Sequence, residues 1–299
     1  MMSRFLLVAV AVAPLCAFAQ KELPQYNPNS INPIPRYEQL YKLRVWRDVD
    51  LLEKQNKGLF ARNGQVTKLL IDAARSGEIP TVYLSDSLTT PLTKEEFQTK
   101  MVLQEGVVFE AWDPARTYYL YDIVSFNGQN YECQLDNTVG VSPGQASGGE
   151  WIKSQQGQAM EYLAQDITKL TVVEDVIFDR RRSRLYYDIQ CFGLSAFDEP
   201  TGTWKNLGWY KYKDVEKVFR NNPEKAIWFN RQNTAENKNY ADAFLLRLFK
   251  GVITKIENPD DMTITETYTA NNRPYYESVW AREWAEIELM EKEHNLWEF

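Results

Sequence analysis

The sequence predicts an α+β fold: helices mixed with a short antiparallel sheet, and a small all-β insert. Three observations predict it. Apolar residues recur at helical spacing in several separate stretches. Strand-like runs rich in Val, Ile, Tyr and Phe lie between them. No regular strand–helix–strand rhythm links the two, which argues against a doubly wound parallel sheet.

The first nineteen residues, MMSRFLLVAVAVAPLCAFA, read as a secretory signal peptide. Arg4 supplies the positive start and Phe5 to Ala13 the apolar run. Ala17-Phe18-Ala19 supplies the small-x-small cleavage pattern, with the cut between Ala19 and Gln20. The run is too short to span a bilayer. Cys16 follows Ala13-Pro14-Leu15, a poor match to a bacterial lipobox, so the expected product is a soluble exported chain of 280 residues. That length suffices for a substantial core and one or two domains.

Residues 20–36 are rich in Asn and Pro and read as an extended arm. Tyr37 to Asn56 read as a helix, with Tyr41, Val45, Val49 and Leu52 facing the core. Gly58 and Asn63-Gly64 break the chain. Val66 to Ser76 resume as a helix, with Gly77 as its stop. Thr93-Lys94-Glu95-Glu96 is a capping box that opens a short helix.

Residues 107–153 are strand-like, with Asn127-Gly128 as a hairpin signal and a Gly/Ser loop at 140–149. Two more strands are expected over 170–195, separated by the basic turn Arg180-Arg181-Arg182-Ser183-Arg184. Helices follow at Tyr212 to Asn221, before Pro223, and at Tyr240 to Phe249. A long amphipathic helix starts near Tyr276. The expected organisation is therefore 1–19 signal peptide, 20–36 arm, 37–110 with 154–275 as one α+β domain, 111–153 as a β insert, and 276–299 as the C-terminal helix.

After cleavage 33 Lys and Arg face 41 Asp and Glu, a net −8. Such a chain offers no basic field, so nucleic acid is not an expected partner. Cys133 and Cys191 would remain, enough for at most one disulfide, and their pairing stays open. Two thiols and the single His294 are too few for a structural zinc cluster. No P-loop, dinucleotide fingerprint or G-x-S-x-G is present, and no cofactor is expected. Chance carboxylate pairs are inevitable among 41 acids and carry no weight toward a glycosidase. The expected chain is not an enzyme.

Three stretches are candidate protein interfaces. Arg44, Trp46, Arg47 and Asp50 cluster cations and an anion around an indole, which suits a charged, aromatic joint between packed elements or subunits. Arg180, Arg181 and Arg182 make either a solvated turn or a contact with an acidic partner or lipid headgroups. The stripe Tyr276, Trp280, Trp284, Ile287, Met290, His294 and Trp297 either packs on the core or anchors a partner.

Residues 112–153 resemble a small chitin-binding type of carbohydrate-binding module. The match reads Trp112-Asp113-Pro114, Tyr118 or Tyr119, Asp122, Val124, Phe126, Gly128, Tyr131, Pro143-Gly144 and Trp151. Trp112, Tyr119, Tyr131 and Trp151 are its candidate sugar contacts. Leu135 and Asp136 stand where such modules carry exposed aromatics, which favours a structural insert over a working lectin. The alternative, a secreted carbohydrate-binding protein reaching peptidoglycan or another glycan, rests on this segment.

The rest of the chain resembles the GldN/PorN family of gliding-motility and type IX secretion proteins of Bacteroidota. The resemblance lies in Arg44 to Asp50 with Glu53 to Asn56, and in Thr90-Pro91-Leu92-Thr93. It continues in Glu174 to Asp179 with the Arg-rich turn, in Trp209-Tyr210, in Asn230 and Asn233, and in Tyr240 to Lys250. The 111–153 segment and the aromatic, acidic C-terminus depart from it. The resemblance implies a non-enzymatic periplasmic subunit. It would form a ring with a GldK/PorK-like lipoprotein at the inner face of the outer membrane, and would contact a GldM/PorM-like motor protein.

Overall fold

The computed structural model describes residues 25–62, 64–104, 109–144, 149–157, 160–199 and 201–297. The expected signal peptide and the expected Ala19–Gln20 cleavage site lie outside the described residues. Strands β1 (Gln39–Asp50), β2 (Val82–Tyr83), β3 (Pro91–Leu92), β4 (Ile123–Phe126), β5 (Gln129–Cys133), β6 (Trp151–Lys153), β7 (Lys169–Asp179), β8 (Arg184–Asp198), β9 (Thr203–Lys211) and β10 (Val252–Ile256) carry the sheets. The helices are α1 (Val66–Ser76), α2 (Lys94–Met101), α3 (Tyr212–Asn221), α4 (Tyr240–Leu245), α5 (Ile264–Ala270) and α6 (Tyr275–Trp297). The class is α+β.

Seven strands form one antiparallel sheet in the order β10-β1-β7-β8-β9-β2-β3. Its centre is the β7–β8 hairpin, closed by the Arg-rich turn. Buried Asp179 builds that turn. Its Oδ1 accepts the backbone N–H of Arg181 at 2.8 Å and of Arg182 at 3.3 Å, and its Oδ2 accepts Arg182 Nη1 at 3.1 Å. Ser183 completes the reversal at φ 49°.

The expected helix over Tyr37 to Asn56 is a strand. Valines four apart satisfy a helical repeat and a strand repeat equally, since four is two periods of two. The charges between them decide it. Lys42, Arg44 and Asp48 share one face of β1, and each finds an opposite charge or hydroxyl across the sheet. Lys42 and Arg44 meet Asp175, while Asp48 meets Thr171 and Lys169. β-Branched Val45 and Val49 and aromatic Trp46 favour the pleated surface as well. Leu52, expected in the core, is exposed in the turn beyond Asp50. Asp50 and Lys54, and Glu53 and Lys57, stand four apart as helical ion pairs would, but they have no helix to sit on. Buried Asn56 locks this turn, its amide donating to the Asp50 and Lys250 carbonyls and accepting the Lys250 N–H.

Helix α4 also ends before the expected Phe249. Arg247 takes φ 53°, and the Leu248 N–H returns to the Ala243 carbonyl at 2.8 Å. By contrast α1, α3, the Thr93 capping box and the Asn127-Gly128 turn stand where the sequence placed them.

One sheet face carries two separate hydrophobic clusters. The larger gathers Leu170, Val172 and Phe192 beneath α1, α3 and α4. The smaller joins Val45, Val176 and Ile253 to Ala285 and Leu289 of α6. Strands β4, β5 and β6 form a separate three-stranded sheet around a third cluster of Tyr118, Val124, Cys133 and Trp151.

Candidate functional site

Strand alternation places Glu174 between Val172 of the large cluster and Val176 of the small one. The same alternation places Arg47 between Val45 and Val49 on the neighbouring strand. Both side chains are buried. Arg47 Nε donates to Glu174 Oε1 at 3.1 Å, and its two terminal nitrogens donate to Glu286 of α6 at 2.8 and 3.1 Å. Arg47 Nη1 also donates to the Gly251 carbonyl at 3.0 Å. Arg247, released by the end of α4, donates to Glu174 at 2.7 and 3.3 Å and lies 3.9 Å over the Tyr187 ring.

Two guanidinium groups and two carboxylates thus balance in a seam between the clusters. Burial pulls the Arg47 pKa down, but Glu174 and Glu286 more than reverse it, so the group stays charged. Gly251 allows the close approach. A Cβ there would lie 2.7 Å from Arg47 Cγ and 2.9 Å from the Asp48 carbonyl oxygen.

The seam fixes α6. This helix turns its small side toward the sheet, burying Ser278, Ala285 and Leu289. Its large side chains face outward. Tyr276, Trp280, Trp284, Ile287, Met290 and Trp297 are each 45–65% exposed. Their spacing of three, four or seven keeps them on one stripe. Tyr276 and Trp280 pack edge to face at 5.4 Å. The stripe presents on the order of 600 Å² of apolar surface, at the upper end of what a monomer's largest patch shows.

The remaining interface candidates separate into two groups. Arg180, Arg181 and Arg182 are exposed on their turn, and Asp50 is exposed while accepting the Leu52 N–H at 2.8 Å. Arg44 is spent internally, with Nε and Nη2 on Asp175 at 2.6 and 3.1 Å. Trp46 lies on the opposite sheet face from Arg47. Its Nε1 donates to Asp86 Oδ2 at 2.7 Å, and the cation over its ring is Lys255, 4.3 Å from the centroid. The expected contact of Trp46 with Arg47 is thus replaced by one with Lys255, for the reason that corrected the helix: neighbours along a strand point apart.

Of the candidate sugar contacts, Trp151 is buried, with Nε1 donating to the Val141 carbonyl at 2.8 Å. Trp112 and Tyr131 are half-buried against Phe126, and Tyr119 alone of the four is exposed. Cys133 and Cys191 are buried free thiols in separate sheets, and burial pushes Cys191 well above the usual thiol range. Among the described residues no cluster of His, Cys, Asp or Glu could hold a metal ion. A cleft of about 110 Å³ lies where the arm crosses β8, lined by Ile31, Ile34, Tyr187, Asp188, Tyr212 and Phe244. Burial raises Asp188 there to about 6.

The family model of the gliding motility associated protein GldN matches residues 34–298, nearly the whole described chain. The chain belongs to the GldN family. The match takes in the seam, the three-stranded module and α6. No curated protein matches the chain. GldN membership makes it a component of the gliding-motility and type IX secretion machinery, within a family of structural parts rather than known enzymes. Among the described residues no helix is long and apolar enough to cross a membrane.

Glu174, Arg247, Gly251 and Glu286 are not among the interface candidates read from the sequence. A signal for the first existed: Glu174-Asp175 is an acidic pair inside an otherwise apolar strand run, and each carboxylate meets two cations on its own face of the sheet.

Proposed function

We propose that this GldN-family chain is a non-enzymatic periplasmic subunit of the type IX secretion and gliding apparatus. It assembles in a ring with a GldK/PorK-like outer-membrane lipoprotein and contacts a GldM/PorM-like motor protein. Its anchorage to the inner face of the outer membrane comes from the lipoprotein. The observation that carries the reading is α6: a long helix pinned by a buried ionic seam with its largest apolar side chains turned outward. Folding alone would bury such side chains, and a docking face keeps them out. The exposed Arg180 to Arg182 turn is a second candidate contact.

The test is a pull-down of tagged chain from detergent-treated envelopes, with mass spectrometry of what remains bound. Wild-type chain should retain one lipoprotein and one inner-membrane protein in a particle far above 35 kDa. Trp280→Ser with Trp284→Ser should lose at least one of them with an unchanged melting temperature. A wild-type chain that elutes alone overturns the assignment, and a double variant that keeps every partner overturns α6 as the docking face.

A further inference from the structure

Charge tells what sits on the α6 stripe. The helix carries six Glu (277, 283, 286, 288, 291 and 293) against Arg282 and Lys292, a net −4 with His294 neutral. Glu286 is spent on Arg47, Glu288 pairs with Lys292 at 2.9 Å, and Glu277 lies 3.6 Å from Arg273. Glu283 and Glu291 are exposed, and the helical repeat puts them within the stripe itself.

Three occupants conflict with this arrangement. A second copy of α6 would set net −4 against net −4 across a dehydrating contact. An anionic lipid surface would repel the same carboxylates, and helices that lie on such surfaces carry Lys and Arg on their polar face. A sugar chain needs a flat platform or cleft, whereas this stripe runs along one convex helix. From Tyr276 to Trp297 it spans roughly 31 Å at 1.5 Å per residue, the length of a partner helix of about 20 residues.

We propose that the α6 stripe is the docking site for an amphipathic helix of a partner chain. That helix sets an apolar face on Trp280, Trp284, Ile287 and Met290, interrupted by Lys or Arg that meet Glu283 and Glu291 within the stripe. The inference rests on the reading of α6 as a docking face. It adds the chemistry of the partner.

The experiment uses the full mature chain and three 20-residue peptides as probes: an amphipathic Leu/Lys helix, a Leu/Glu helix with the same apolar pattern, and a scrambled Leu/Lys sequence. Binding is read from the emission of the exposed tryptophans and by calorimetry. The Leu/Lys helix should bind roughly tenfold tighter than the Leu/Glu helix at low salt, the sum of a few exposed ion pairs. That gap should close in 0.5 M salt. Glu283→Gln with Glu291→Gln should remove most of the preference, and Trp280→Ser with Trp284→Ser should remove the binding.

Equal binding of the Leu/Lys and Leu/Glu helices, lost in the tryptophan variant, overturns the cationic partner and leaves the docking face standing. Binding of the scrambled peptide as tight as the helix, or binding untouched by the tryptophan variant, overturns both. A concentration-dependent dimer of the chain that the tryptophan variant abolishes would make a second copy the occupant and overturn the inference.

Discussion

Glu174→Ala is the sharpest test of the seam. Glu174 is fully buried and accepts from both Arg47 and Arg247. Removing one partner of a buried pair costs about 3–5 kcal/mol, because a charge is left without its counterion. Two features place this site at the lower end. Arg47 keeps Glu286 and the Gly251 carbonyl, and Arg247, 28% exposed, can rehydrate. The expected loss is therefore about 3 kcal/mol. For a chain of this size that lowers the melting temperature by roughly 5 °C. The assay is thermal unfolding by circular dichroism, with limited proteolysis to ask whether α6 is cut first. Arg47→Met with Glu174→Met supplies the control. It removes both buried charges, and the remaining partners, Arg247 and Glu286, reach water. The double variant should lose less than Glu174→Ala alone. A Glu174→Ala chain that melts within 2 °C of wild type, or a double variant at least as unstable as the single, refutes the seam as an energetic joint.

Other outcomes follow from the same geometry. Asp188 has a folded pKa near 6 against 3.8 for an ordinary Asp, so its effect is absent below about pH 4 and costs stability as pH rises through 6. Asp188→Asn should match wild type at pH 4 and exceed it by up to about 3 kcal/mol at pH 7 in urea unfolding; no gap between the two pH values sinks this. Gly251→Ala should cost about 1–3 kcal/mol by overpacking against Arg47 and should free α6 to faster proteolysis. Trp46→Phe deletes the bond to Asp86 and should cost about 1.5–3 kcal/mol while leaving the envelope complex intact, a split that combined melting and pull-down would expose. Trp280→Ser with Trp284→Ser should change stability by less than about 0.5 kcal/mol, since both side chains already face water.

Much of this fold is legible in the chain because local chemistry and tertiary context agree. Gly77 ends α1 at φ 84°, Thr93 and Glu96 cap α2 reciprocally, and Asn127-Gly128 turns the β4–β5 hairpin with both residues at positive φ. Residues 39–50 failed because their apolar spacing fits two periods at once. The deciding information, the partners of Lys42, Arg44 and Asp48, lies some 130 residues away in β7. The α6 stripe was visible but its direction was not. Large aromatics suggest a core, yet Ser278 and Ala285 let the helix approach the sheet on the opposite side. The seam was hardest, because Arg47, Glu174, Arg247 and Glu286 come from four distant segments and each alone resembles a surface charge.

The seam also sets an order of opening. The α5–α6 hairpin rests on a small cluster of Val45, Val176, Ile253, Ala285 and Leu289, walled off by charge from the main core. Water reaching Arg47 would release that hairpin without disturbing the larger cluster beneath α1, α3 and α4. Amide hydrogen exchange should accordingly find the α5–α6 hairpin less protected than the strands beneath the larger cluster, with its protection rising when a partner clamps it down.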